Sequence, residues 1–272
     1  MNDARLLIVE DNDEIAQMLV LFFSSRGLKV SVASDGDTAL RVVRDVLPTL
    51  VLLDVGLPDT DGYELCRQFR QGVRTRYIPV IFLTRRSKKA DRLAGLQLGA
   101  DDFITKPFDL EELFLRVQNA IARAAREHLS DPNTGLPANK ITTEEIERAR
   151  SQAGRVALQL RLRNLAPFRD LYGALAGADL LRYISLLINR VLNAVGASDD
   201  FLGQLDEETF AIVCAIERAA LIEKNIHDHF HSDVIRHYNM GERVSEDLIQ
   251  VIDSGGQVHQ LPALKLEITR LF

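Results

Sequence analysis

Cysteine is scarce in this chain: 272 residues contain two, Cys66 and Cys214. They fall in different halves and inside apolar patterns, so they read as buried free thiols and no disulfide is expected. Concentrated positive charge is missing too. The formal net charge is −6 and Lys and Arg gather in no dense stretch. That argues against a nucleic-acid partner, because phosphate-backbone affinity rests on clustered cations. The N-terminus MNDARLLIVED lacks the basic-then-apolar order of a signal segment, and no apolar run reaches about 20 residues, the length of a membrane span. The expectation is a soluble, cytoplasmic protein without a membrane partner.

Hydrophobic residues make up 46% and charged residues 26%, the ordinary balance of a soluble globular protein. The length suits two domains. From residue 5 to 127, short apolar runs alternate with helical periodicity. The runs are RLLIV (5–9), LKVSVA (28–33), TLVLLD (49–54), IPVIFLT (78–84) and DFIT (102–105). Between them lie amphipathic stretches such as EIAQMLVLFFSSRG and DGYELCRQFRQG, and Gly27 and Gly99 stand where helices end. Continuous Val/Ile/Leu runs mark strands buried on both faces. Five of them alternating with helices predict an α/β domain with a doubly wound parallel sheet.

In such sheets the site lies beyond the carboxyl ends of the strands. Glu10 and Asp11 follow the first strand, Asp54 ends the third, Thr84 ends the fourth and Lys106 follows the fifth. Three carboxylates in one crevice repel each other unless a cation neutralises them, and hard oxygen ligands favour Mg²⁺. A hydroxyl and an ammonium opposite them suit phosphoryl oxygens. Any one of these acids alone would read as a helix cap; all five positions on one rim read as a site.

The stretches LLIVEDN, LLDVGLPDTDGYELC, FLT and GADDFITKPF resemble the receiver domain of two-component response regulators. The resemblance covers residues 5–125 and implies strand order 2-1-3-4-5. It implies that Asp54 is the phosphoacceptor and that Glu10, Asp11, Asp54 and the Gly56 carbonyl hold Mg²⁺. It further implies that Lys106 and Thr84 bind the phosphoryl group, that Phe103 is the aromatic switch residue, and that the Lys106–Pro107 bond is cis. A histidine kinase or phosphotransfer protein is the implied partner. Arg85 departs from the family, which usually has a small residue after the Thr, and is expected to modulate access to the phosphoryl group. Lys88, Lys89, Asp101, Asp102, Glu111, Glu112 and Arg116 put both charge signs on the face through which the family often dimerises, so a homodimer is an expectation.

SDPNTGLPAN (130–139) has loop composition, after a helix expected to run through His128. Thr142 with Glu145 fits a capping box opening the next helix. The expected boundaries are a receiver domain at 1–127, a linker and entrance signature at 128–141, and a second domain at 142–272. In that second half RVALQLRL alternates like a half-buried strand. AGADLLRYISLLINRVLNAVG is an amphipathic helix, FLGQL and TFAIVCAI are two strands across a tight connection, and ERAALIEKNIHDHFHSDVIRHY is another helix. A hairpin turning at Ser254-Gly255-Gly256 and a last strand complete an α+β domain with a mainly antiparallel sheet.

DPNTGLPANK and FRDLYGALAGADLLRYISLLI resemble the entrance signature and helical region of a GGDEF domain, the diguanylate cyclase fold, over 130–268. Carried over residue by residue, the family's pattern is not met. Arg161 stands at the metal-binding Asp position, Arg169 and Ala178 stand at the guanine-reading positions, and the signature aligns with Asp206-Glu207-Glu208-Thr209-Phe210. Acids replace two glycines that let a backbone approach phosphate, and Thr209 replaces the catalytic acid. An inhibitory Arg-x-x-Asp would start at Ala197 and is missing. The expectation is therefore a degenerate domain that is not an enzyme, uses no nucleotide, and serves as an interaction or dimerisation module for an unnamed downstream protein. The alternatives are a diverged diguanylate cyclase and a nucleotide-binding sensor. Relatives usually have more chain after the last strand, so the domain is expected to be shortened.

Glu223, His227 and His231 share one helix face at four-residue spacing, with His229 and His237 nearby. Two His at i, i+4 can bind Zn²⁺, but no Cys joins them, and the cluster reads as a solvated face.

Overall fold

A computed structural model describes residues 4–85, 98–126, 130–131, 133–238, 243–244, 248–252 and 258–272. The chain separates into two compact units, Met1–Ile141 and Thr142–Phe272.

In the first unit, strands β1 (Arg5–Val9), β2 (Lys29–Ala33), β3 (Leu50–Asp54), β4 (Val80–Thr84) and β5 (Asp102–Thr105) form one sheet in the order β2-β1-β3-β4-β5. Every pair is parallel, as the alternation of apolar runs and helices predicts. The two-residue period of a strand sends alternate side chains to opposite faces. Leu6, Ile8, Leu50, Leu52, Ile81 and Leu83 pack on one face against Leu19 and Phe23 of α1 (Asp13–Ser25) and Leu113 and Val117 of α4 (Leu110–Arg126). Leu7, Val9, Val51, Leu53, Val80 and Phe82 pack on the other, against α2 (Gly36–Val46) and α3 (Gly62–Gln71). With both faces covered, β1, β3 and β4 are buried along their whole length, which is why they read as unbroken apolar runs.

Helix starts follow local chemistry. Asn12, Asp35 and Asp61 each accept a backbone N–H of the first turn of α1, α2 and α3. Gly27 (φ 83°) closes α1, with the Leu28 N–H donating to the Phe23 carbonyl at 3.1 Å. Gly62 is required by a close approach: a Cβ there would lie 2.2 Å from the Asp54 carbonyl oxygen.

Helix α5 (Asn139–Arg150) corrects one expectation. It starts before Thr142, which lies buried inside it, so Thr142 and Glu145 do not open the helix as a capping box. Glu145 instead pairs with Arg148 one turn on, at 2.9 Å. The expected end of α4 at His128 lies outside the described residues.

The second unit holds β6 (Arg155–Arg163), α6 (Leu165–Val195), β7 (Phe201–Gln204), β8 (Thr209–Ala215), α7 (Ile216–Asp233), β9 (Arg243–Val244), β10 (Leu248–Ile252), β11 (Val258–Pro262) and β12 (Lys265–Arg270). A four-stranded sheet runs β12-β6-β8-β7, antiparallel throughout, and a second sheet runs β11-β10-β9. The expected turn at 254–256 between β10 and β11 lies outside the described residues. Helix α6 extends further toward the N-terminus than its amphipathic core because two helical segments meet at Gly173, whose φ of 88° only glycine adopts readily. By length and composition alone α6 is long and apolar enough to cross a membrane. Yet Leu180, Leu181, Ile184, Leu187, Ile188 and Leu192 are buried within this unit, as in the core helix of a soluble domain. Cys66 and Cys214 are both free and buried.

Candidate functional site

The carboxyl ends of β1, β3 and β4 bring the predicted residues of the first unit together. Glu10 leaves β1 with its N–H donated to the Ala33 carbonyl (3.0 Å), and the Lys106 N–H donates to the Thr84 carbonyl (2.7 Å). These main-chain bonds aim both side chains at the end of β3. Lys106 Nζ donates to Glu10 Oε1 (2.8 Å) and Oε2 (2.6 Å) and to Asp54 Oδ2 (2.7 Å). The Gly56 N–H donates to Asp54 Oδ1 at 3.2 Å. Glu10, Asp54 and Thr84 are buried while Asp11 is exposed.

Burial pushes the Glu10 carboxyl above its usual range; the Lys106 ammonium opposes this, and the charges of Asp54 and Asp11 add to it. Carboxylate oxygens of Glu10, Asp11 and Asp54 lie within 4.8 Å of one another. Three hard anionic donors at that spacing fit a divalent cation such as Mg²⁺, with the exposed Asp11 leaving a side open to water. The cleft above them encloses about 370 Å³ and is also lined by Asn12, Thr84 and Arg85. Asn12 lines the cleft although it is not among the residues expected there, and its side chain caps α1. Its position directly after Glu10 and Asp11 was the available signal.

Phe103 is buried, its ring 6.3 Å from that of Phe82 in an edge contact, and Tyr63 also meets Phe82 edge-on at 5.0 Å. The Lys106–Pro107 bond is cis. Of the charged residues proposed for a dimer face, Lys88 and Lys89 lie outside the described residues. The others are engaged within the unit: Arg116 with Asp102 and Glu112 (both 2.7 Å), Glu111 with Arg26, and Asp101 with Arg123 (2.7 Å).

In the second unit Asp206, Glu207 and Glu208 form the turn between β7 and β8. The Glu208 N–H donates to Asp206 Oδ1 (2.8 Å), and the Leu205 N–H to the Thr209 carbonyl (2.8 Å). One acid therefore serves the turn itself. Glu207 pairs with Arg169 of α6 at 2.8 Å. Arg169 lies across the helix, and a Cβ on Gly177 would come within 2.5 Å of its Cγ. Ala178 follows Gly177 on the same helix. Arg161 on β6 stands opposite Thr209, with Leu160 opposite the buried Phe210. On α7, Glu223 is taken by Arg270 (2.7 Å), and the exposed rings of His227 and His231 lie parallel, 6.4 Å apart. Among the described residues the one set of three or more side chains spaced to share a metal is Glu10, Asp11 and Asp54.

Several solved structures are similar to the first half. A protein described as a response regulator from Chloroflexus aurantiacus is 40% identical, covering 44% of this chain and 99% of that one, with a TM-score of 0.43. The receiver domain of a histidine kinase from Syntrophus aciditrophicus is 36% identical over 45% of this chain and 93% of that one, with a TM-score of 0.43. The Francisella response regulator 1452 receiver domain is 31% identical over 44% and 98%, with a TM-score of 0.42. The model of the response regulator receiver domain matches residues 6–118, and that of the diguanylate cyclase, GGDEF domain matches residues 128–245.

The second match corrects the expectation that this half is not an enzyme. A GGDEF domain is a diguanylate cyclase domain and typically enzymatic. The expectation rests on single positions, Arg161, Arg169, Ala178, Ala197 and Asp206–Thr209, whereas the match extends over residues 128–245. The ground for expecting no nucleotide goes with it. Receiver and GGDEF domains are typically soluble, and a receiver domain points to a histidine kinase or phosphotransfer partner. The chain carries a response regulator receiver domain followed by a GGDEF domain.

Proposed function

We propose that this chain is a cytoplasmic response regulator that accepts a phosphoryl group on Asp54 and passes that state to a diguanylate cyclase-type output domain. The observation that carries the reading is the placement of Asp54 at the end of β3, among Glu10, Asp11, Lys106 and Thr84. A carboxylate oxygen of Asp54 attacks phosphorus, the bond to the donor's imidazole breaks, and the donor keeps the electron pair. Bound Mg²⁺, held by Glu10, Asp11, Asp54 and the Gly56 carbonyl, would supply charge to phosphoryl oxygens. Lys106 then exchanges its contact with the free Asp54 carboxylate for one with a phosphoryl oxygen, and Thr84 offers a hydroxyl at the same rim. The buried Phe103 is the side chain through which the rim would repack.

Two measurements on one sample test the halves separately. Acetyl phosphate with Mg²⁺ should label the chain, and Asp54→Asn should abolish the label; a label that persists would sink the phosphoacceptor assignment. Cyclic di-GMP formation from GTP, with and without beryllofluoride, tests the output. The output half rests on the match over 128–245. Product no higher than a protein-free blank, with Asp54 still labelled, would sink that half alone.

A further inference from the structure

Arg5 is an unusual first residue for a central strand: a cation, buried to 4% exposure. Burying a guanidinium is costly unless its donors are met. Here Nε and Nη2 donate to the Leu47 carbonyl (2.9 and 2.6 Å), Nη1 to the Asn133 carbonyl (3.3 Å) and Nη2 to the Thr134 carbonyl (2.5 Å). Leu47 caps the C-terminus of α2 in a left-handed conformation, where a cation also meets the negative end of the helix dipole. Asn133 and Thr134 lie 128 and 129 residues further along the chain.

The segment that Arg5 reaches is itself closed. Ser130 bridges Pro137. The Asp131 N–H donates to the Leu136 carbonyl (2.8 Å), the Gly135 N–H to the Asp131 carbonyl (2.8 Å), and Asp131 Oδ1 accepts from the Asn133 and Thr134 N–H groups (2.9 and 2.8 Å). Thr134 and Leu136 are buried. Gly135 has φ of 73°, and a Cβ on it would lie 2.7 Å from Arg5 Nη2 and 3.1 Å from the Leu47 carbonyl. The positive φ by itself calls for glycine here, and the loop also sits directly on the guanidinium.

We propose that Arg5 is a clamp that fixes the entrance loop 130–137 of the GGDEF domain to the receiver, at the pole of the sheet opposite Asp54. The first unit then ends in a docked loop instead of a free tether. The clamp does not depend on phosphorylation, so it stands or falls apart from the assignment of Asp54.

Hydrogen exchange on the full chain tests it, with Arg5→Gln and, as a variant that leaves the sheet untouched, Gly135→Ala. Charge-assisted hydrogen bonds are among the stronger ones. Exchange in 130–137 should therefore speed up about tenfold or more in both variants, with 49–54 and 80–84 still protected. Unchanged protection of 130–137 in Arg5→Gln would overturn the clamp. If Arg5→Gln also exposes the sheet, Gly135→Ala decides: faster loop exchange over a protected sheet supports the clamp, and unchanged loop exchange overturns it. Protease should cut the unmodified chain near Asn133 no faster than elsewhere; preferential cleavage there would equally overturn it.

Discussion

Lys106 Nζ lies 2.7 Å from Asp54 Oδ2 and 2.6 Å from Glu10 Oε2, one ammonium between two buried carboxylates. Removing it leaves two buried like charges facing each other without their shared cation. Lys106→Met should cost about 3–5 kcal/mol of receiver stability, the usual loss when one partner of a buried pair is deleted. Saturating Mg²⁺ should recover part of this, because a cation that binds only the folded site stabilises it by mass action. Denaturant titrations with and without Mg²⁺ check both. A loss below about 1 kcal/mol without Mg²⁺ dependence would mean that the cluster is already screened by solvent.

Arg85 lines the cleft above Asp54, directly after Thr84. If a long cationic side chain there narrows the approach of donor and of attacking water, its removal should show in both rates. Arg85→Ala should speed both labelling by acetyl phosphate and loss of the label, each several-fold. Both rates can be read from the same phosphate-release time course, and equal rates in the two proteins would refute a role in access.

The ion pair between Arg169 and Glu207 joins α6 to the β7–β8 turn, but the Glu207 side chain is 80% exposed. An exposed pair contributes about 0–1 kcal/mol. Glu207→Gln should therefore stay within about 1 kcal/mol of the parent chain in urea, and the difference should shrink with salt. A larger, salt-resistant loss would show that the pair is desolvated.

The Cys214 thiol is pushed up to about 11, by burial first and by the charge of Asp200 next. A folded value above the unfolded one means that the folded state keeps its proton longer. The associated stability is fully present below the ordinary value of 9.0 and is lost as pH rises toward about 11. Unfolding followed from pH 8 upward should show this fall, and Cys214→Ala should flatten that share of it. An identical slope in the variant would assign the effect to other groups. At pH 8 native Cys214 should resist alkylation until the unit unfolds.

Much of the first unit was legible because two periodicities coincide there. Buried parallel strands leave unbroken apolar runs, and the helices between them keep a polar face, so the element order could be read directly. The site was legible for a related reason: strand ends in such a sheet converge on one rim, so Glu10, Asp11, Asp54, Thr84 and Lys106 could be placed together before any distance was known. Local signals did worse where more than one solution fits. Thr142 and Glu145 have capping-box spacing, yet the helix starts at Asn139, and both residues face inward instead. The kink at Gly173 and the packing of Arg169 across Gly177 left no periodic trace.

Residue order by itself determined the parallel sheet, the rim of acids and the resemblance of both halves to their families, because these depend on short-range pattern and on the ends of strands. Only the tertiary structure decided which charges answer which. Arg5 stands in sequence only as the first residue of the run RLLIV; folding brings the carbonyls of Asn133 and Thr134 to it across 128 and 129 residues. Lys106 likewise chooses Glu10 as well as Asp54. Long-range pairing of this kind is set by burial and hydrogen-bond satisfaction in three dimensions, and neither leaves a mark on the spacing of residues along the chain.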